Sequence, residues 1–256
     1  MTHTWRLLVD GDASGPWNMG VDDALLVSAV RDLRATLRFY TWRGPWLSVG
    51  YAQTVTEARR AACEAAGLGI VRRLTGGRAV LHGGDLTYAI AAPAERLPKG
   101  LRASYGLVSD ALCRALRALG APAQRQPAAR VGGPSFDCFA LPAAEEICAG
   151  DRKLVGSAQR RAGGAVLQHG SIRVTPDPEW AARAAGSAPG AATSLRELGV
   201  EQSLELLREA CTEALHQALG GVLEPGELSD RERRDAAHGA RRRERSGGVE
   251  KRIFPE

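Results

Sequence analysis

Lysine is almost missing from this chain. Of its 34 basic residues only Lys99, Lys153 and Lys251 are lysines, and arginine fills nearly every other place where a cation is wanted. A lysine kept against that bias is informative, because an ammonium can give up its proton near neutrality and a guanidinium cannot. Long apolar runs are missing too: none approaches the roughly 20 residues that cross a bilayer. The opening MTHTWRLLVDGDASG holds an early Asp-Gly-Asp where a secretory signal would be apolar. A cytoplasmic protein without a membrane partner is expected. No stretch interleaves basic residues with stacking aromatics, so the formal net charge of +5 does not point to nucleic acid. A mildly basic surface suits an acidic protein partner instead. The five cysteines, Cys63, Cys113, Cys138, Cys148 and Cys211, are odd in number and lack CxxC spacing, which indicates neither a disulfide framework nor a zinc site. No metal, no cofactor and no internal repeat is expected.

What is present reads as one soluble domain over 1–256, with 226–256 as a charged helix or tail. Hydrophobic residues make up 44% and charged residues 25% of the 256 positions, an ordinary globular balance. TWRLLVD opens as a strand, and NMGVDDALLVSAV follows as a helix with Asn18 as N-cap and two aspartates near its start. TLRFYTW and WLSVGYAQ read as two strands joined through the turn signal RGP. TEARRAACEAAGLG is a short helix and GIVRRL a strand. YGLVSDALCRALRALGAP is an amphipathic helix with Val108, Ala111, Leu112, Ala115, Leu116 and Leu119 on one face. The Pro-, Gly- and Ala-rich segment 123–137 reads as a mobile loop. EEICAGDRKLVGSAQRR is a hairpin turning at Gly150-Asp151, GAVLQHGSIRV another strand, 176–198 a loop, and SLELLREACTEALHQALGG a second helix. The basic run 231–245 reads as a solvated helix or tail. Adjacent strands with helices between them make an α+β domain whose sheet is mixed or antiparallel.

Chemistry concentrates in RRLTGGRAVLHGGDLTYAI, positions 72–90. Glycine pairs let a backbone approach a ligand closely. Arg72, Arg73 and Arg78 cannot all be buried without counter-charges, so some should meet carboxylates and others face a partner. Cys211 falls on an apolar helical stripe, Cys63 and Cys113 sit inside helices, and Cys148 is mid-strand, all as small hydrophobes would be. Cys138 differs. It stands in FDCFALP at the end of the loop and shortly before Lys153, where a thiol could have both exposure and a cationic neighbour. His82 and His169 sit beside glycines at strand ends; His3, His216 and His238 read as surface residues.

Taken together, VRRLTGGRAVLHGGDLTYAI, TWRLLVDGDASGPWNMGVDDALL, RFYTWRGPWLSVGYAQ, CFALP followed by DRKLVGSAQRR, and GAVLQHGSI resemble, in order and spacing, the octanoyltransferase branch of the lipoate/biotin protein ligase superfamily. The resemblance runs nearly end to end. It implies the mixed β-sheet with flanking helices shared with class II aminoacyl-tRNA synthetases and biotin synthetases. It also implies transfer of an octanoyl group from acyl carrier protein to a lysine of a lipoyl-domain protein such as the glycine-cleavage H protein, the first step of lipoate synthesis. The nucleophile of that branch maps onto Cys138 and its lysine onto Lys153. The matching positions Arg72, Arg73, Thr75, Gly76, Gly77, Arg78, His82, Gly156, Ser157, Ala158, Gln159, His169 and Gly170 are implied to hold the acyl group and substrate. Two departures stand out: His82 is followed by Gly83-Gly84-Asp85 where the family has an acidic residue next, and the AAEE before Ile147 lacks the expected aromatics. An ATP-dependent lipoate or octanoate ligase on the same fold is the rival reading. It would need no cysteine and would commonly carry a further C-terminal domain. A non-catalytic module that binds acylated carrier or lipoyl proteins is the rival from another class.

Overall fold

The first helix begins earlier than its apolar pattern suggests. Strand β1 (Thr4–Ala13) passes into α1 (Gly15–Arg31) through Ser14, whose Oγ accepts the Trp17 backbone N–H, with Pro16 in the first turn where its missing donor costs nothing. Asn18 is therefore not the cap. It lies inside the helix and donates to the Thr41 carbonyl. Asp22 and Asp23 stand deeper still, both buried.

The computed structural model describes residues 3–126, 146–187, 190 and 192–245. Cys138 and most of the expected loop 123–137 lie outside them. After α1 come β2 (Thr36–Trp42), β3 (Trp46–Val49), α2 (Glu57–Ala65), β4 (Gly69–Arg72), β5 (Val80–His82), β6 (Asp85–Pro93) and α3 (Leu101–Ala118). Then follow β7 (Ala123–Arg125), β8 (Ile147–Ala149), β9 (Arg152–Ala162), β10 (Ala165–Arg173), α4 (Glu179–Ala185), α5 (Leu204–Leu219), β11 (Val222–Pro225) and α6 (Asp230–Arg245).

Among the described residues eight strands form one sheet in the order β11-β1-β2-β6-β10-β9-β8-β7, and three form a second in the order β4-β3-β5. The large sheet is mixed: β1 runs parallel to β11 and β2, and the pairings from β2 onward are antiparallel. The α+β expectation holds. β2 and β3, adjacent in sequence, do not pair with each other; they belong to different sheets, so Arg43-Gly44-Pro45 is a crossing between sheets and not a hairpin turn.

Alternation along the central strands sorts the core. Leu86, Tyr88, Ile90 and Ala92 of β6 face α3 and α5, while Ala89 and Ala91 face α1. Val108, Leu112 and Leu116 of α3 are all buried, each contributing roughly 1.5–3 kcal/mol. A smaller core lies between the three-stranded sheet, α2 and α4.

Three short elements escape a reading by periodicity. Segment 176–198 contains α4, β11 adds an edge strand beside β1, and β7 occupies the start of the expected loop. The basic run is also corrected. It forms α6, which buries Glu232, Ala236, Gly239, Ala240 and Arg243. Gly20 of α1 lets the helices touch, since a Cβ there would lie 2.4 Å from the Ala236 carbonyl oxygen.

Candidate active site

A cleft opens where the two sheets meet. Met19 of α1, Tyr40 and Trp42 of β2, and Thr87 of β6 line one side; Ser48, Val80 and His82 of the small sheet line another. Gly156, Ser157 and Ala158 of β9 and His169, Gly170 and Ser171 of β10 complete it, with Arg73 and Gly77 from the β4–β5 loop at its edge. The space unoccupied by atoms is about 370 Å³, part of it continuous with solvent.

Two buried relays flank this space. In one, His82 bonds Asp85 Oδ2 through Nδ1 at 2.8 Å and Ser48 Oγ through Nε2 at 2.7 Å. Arg73 Nη1 donates to the same Ser48 hydroxyl at 2.8 Å, and Trp42 stacks on the imidazole with ring centroids 3.9 Å apart. In the other, His169 bonds Asp22 Oδ2 through Nδ1 at 2.7 Å and Thr75 Oγ1 through Nε2 at 2.6 Å. With the aspartates as acceptors, each imidazole donates through Nδ1 and turns its Nε2 towards a hydroxyl that can either donate or accept.

Burial would raise the Asp85 carboxyl, but the charge and hydrogen bond of His82, with donors from Ser171 and the Gly83 backbone, outweigh it and hold Asp85 below the usual carboxylate range. Asp22 is lowered in the same way: burial opposes, and the His169 hydrogen bond, the Arg38 charge and the Tyr40 hydroxyl prevail. Arg38 Nη1 lies 2.8 Å from Asp22 Oδ1. Burial pushes the Tyr40 phenol well above its usual value, with the Asp22 and Asp85 carboxylates adding to the shift and the Arg38 charge opposing it.

The glycine loop is held by its arginines. Arg72 Nη1 donates to the carbonyls of Gly50, Tyr51 and Gln53, and Arg73 to those of Ser48, Gly76 and Arg78. Arg72 and Arg73 are buried and Arg78 half-buried. Gly77 has φ +86°, and a Cβ on Gly50 would lie 1.9 Å from its carbonyl oxygen. Loop and strand thus touch backbone to backbone. Gly170 is equally constrained: a Cβ there would come within 2.4 Å of Ser157 Oγ and 2.6 Å of Tyr88.

Of the expected residues, Arg73, Gly77, His82, Gly156, Ser157, Ala158, His169 and Gly170 meet at the cleft. Thr75 acts one step removed, through His169. Arg72, Gly76 and Arg78 belong to the loop but not to the lining. Gln159 faces away, donating to Gln168 Oε1 and to Ser104 of α3. His169 is mid-strand rather than at a strand end.

Lys153 is fully buried and paired with Glu146. A bulge in β9 decides where it points. Val155 lies opposite Ile147, but Lys153 lies opposite Cys148, so Leu154 is the extra residue. The bulge turns Lys153 onto the sheet face that carries Gly156, His169 and Ser171, three residues along β9 from Gly156. It is not among the lining residues described. Asp22, Asp85, Glu146 and Ser48 carry no signal that periodicity could find, apart from acidic residues set in otherwise apolar stretches. Asp85 also explains the Gly-Gly-Asp departure, since the carboxylate reaches back to His82. Among the described residues no group of His, Cys, Asp or Glu could hold a metal ion, and no helix is long and apolar enough to cross a membrane.

Residues 14–216 match the lipoyl protein ligase A/B catalytic domain. An octanoyltransferase LipM from Kyrpidia tusciae is 40% identical over 91% of this chain and 93% of its own length. Another, from Symbiobacterium thermophilum, is 38% identical over 92% and 94%. The crystal structure of lipoate-protein ligase A bound with ATP shares the fold, with a TM-score of 0.78, 21% identity and coverage of 98% of this chain and 100% of that one. The chain belongs to the lipoyl protein ligase A/B catalytic-domain family.

Proposed function

We propose that this protein is an octanoyltransferase of lipoate biosynthesis that works through a cysteine acyl-enzyme, with Cys138 as nucleophile and Lys153 beside the reacting carbonyl. The relatives over most of the chain are octanoyltransferases, which supports the acyltransferase class. The observation that carries the mechanism is the bulge that sets a buried lysine, in a chain with so few, on the face of the acyl cleft. The four described cysteines support Cys138 from the other side. Burial raises all their thiols, that of Cys113 to about 11 and that of Cys211 to about 12, leaving little thiolate near neutrality.

In the first half-reaction the Cys138 thiolate attacks the thioester carbonyl of octanoyl-acyl carrier protein. The carrier thiol leaves with a proton, and octanoate stays on Cys138 as a thioester. In the second, a lysine of a lipoyl-domain protein, such as the glycine-cleavage H protein, loses a proton, attacks as the amine and releases the Cys138 thiol. Both steps pass through an oxyanion that a nearby ammonium stabilises. As the amine, Lys153 can take the proton of the attacking lysine, which an arginine could not. The two imidazole relays hold the walls of the cleft through their hydrogen bonds while an apolar chain displaces water.

Incubation with octanoyl-acyl carrier protein should add one octanoyl mass to the protein, and apo-H protein should discharge it. Cys138→Ala should abolish both adduct and transfer, with Cys148→Ala leaving activity largely intact. Full turnover by Cys138→Ala would restore the ATP-dependent ligase, which free octanoate with ATP would then reveal.

A further inference from the structure

The solvent face of α6 carries a straight row of basic side chains. Arg231, Arg234, His238, Arg241 and Arg245 recur at alternating steps of three and four residues, the spacing that keeps side chains on one side of a helix. All five are exposed. The opposite side is buried through Glu232, Ala236, Gly239, Ala240 and Arg243, against α1. At a rise of about 1.5 Å per residue the row is about 21 Å long. Arg233, just off it, pairs with Glu227 at 2.9 Å. Arg231, Arg234, Arg241 and Arg245 pair with no carboxylate among the described residues. The acidic residues of the helix stand elsewhere: Arg6 holds Glu232 on the buried side, Asp235 lies 4.0 Å from Arg31, and Asp230 and Glu244 fall on the flank of the row.

By itself the row costs α6 stability. Like charges three or four residues apart, as in Arg231 with Arg234 and Arg241 with Arg245, destabilise a helix. Arg231 also stands in the first turn, where the helix dipole opposes a cation. Carboxylates of a partner laid along the row would set attraction against that repulsion. The position suits a partner of the cleft. Arg243, on the buried side, donates through Nε to the Arg72 carbonyl at 3.2 Å, which seats the C-terminal half of α6 against the start of the loop whose Arg73 and Gly77 edge the cleft.

We propose that the outward face of α6 docks the carrier protein of the acyl donor, through a row of carboxylates on one of the carrier's helices. The proposal rests on the transferase reading. A straight row of cations is matched by a straight row of anions, which a second helix presents at the same pitch. The acceptor is the poorer occupant, because it must bring a lysine ammonium to the cleft and a cationic face opposes that approach. Exposed arginines act chiefly by steering and orienting the partner, and salt screens their effect.

The test titrates holo-acyl carrier protein, which has the arm but no acyl group to transfer, into the protein by calorimetry. Arg234→Glu with Arg241→Glu should weaken binding about 10- to 100-fold at low salt. Raising the salt from about 0.05 M to about 0.3 M should weaken the unsubstituted protein and barely change that variant. Arg183→Glu with Arg196→Glu, which reverses two exposed arginines outside α6, should leave binding unchanged. Acyl loading of Cys138 from octanoyl-pantetheine, which has no carrier to dock, should proceed equally in all three proteins. Equal weakening by both pairs of substitutions, or none by the α6 pair, would overturn the docking face. Weakened binding of apo-H protein with carrier binding intact would also overturn it, by assigning the face to the acceptor. Salt-sensitive carrier binding through α6 in a protein that takes no octanoyl group from either donor would support the face and refute the transferase reading, so the two fail separately.

Discussion

Lys153 and Glu146 are the residues at which stability and the proposed chemistry meet. The pair is buried, and removing one member of such a pair leaves an uncompensated charge at a cost of about 3–5 kcal/mol. Glu146→Ala should therefore lower the free energy of unfolding by about 3–5 kcal/mol, measured by urea denaturation, whereas replacement of an exposed glutamate such as Glu57 should not. Lys153→Arg keeps the charge and separates the two roles. It should retain the fold, seen by circular dichroism, and lose about 10²- to 10⁴-fold in transfer rate, the share a positioned acid or base supplies. A wild-type rate in Lys153→Arg would remove the proton-transfer role.

Among the elements, α6 gives the clearest pH dependence. It is anchored by Glu232, which Arg6 grips through Nη1 and Nη2 at 2.8 and 2.7 Å and which accepts the Ser229 backbone N–H at 2.7 Å. Burial alone would raise the carboxyl, yet the Arg6 and Ser229 hydrogen bonds prevail and hold it at about 2 against an ordinary 4.5. A depressed carboxylate stabilises the fold fully above its unfolded value and loses that contribution as pH falls through its folded one. Resistance to urea should thus fall as the pH is lowered from 4.5 to about 2, and Glu232→Gln should flatten that part of the profile. An unchanged slope in the variant would mean that other carboxylates carry it.

At the scale of the whole molecule, the cleft between the sheets, as the proposed acyl site, should set substrate size. Each methylene that reaches apolar wall should add about 0.8 kcal/mol to donor discrimination, until a longer chain overfills the space. Octanoyl donors should outpace both hexanoyl and palmitoyl donors in adduct formation measured by intact mass. Equal rates for octanoyl and palmitoyl donors would mean that the cleft has no end.

The sequence by itself determined what depends on local order. The apolar face of α3 is legible because Val108, Leu112 and Leu116 recur at the helical period, and Gly150-Asp151 marks the β8–β9 hairpin because glycine there adopts φ +59°. The glycine loop, both histidines and the unusual lysine stand out as residue types in an improbable setting. Short elements were hidden, since β7 and β11 have three and four residues and their pairing comes from distant partners, not from period. Only the tertiary structure decided that Asp22 meets His169 across 147 positions, that Asp85 turns back onto His82, and that a charged helix buries one face on α1. It also decided the direction of Lys153: a single extra residue at Leu154 exchanges the two faces of a strand, and no pattern of hydrophobicity records on which side of a bulge a side chain will emerge.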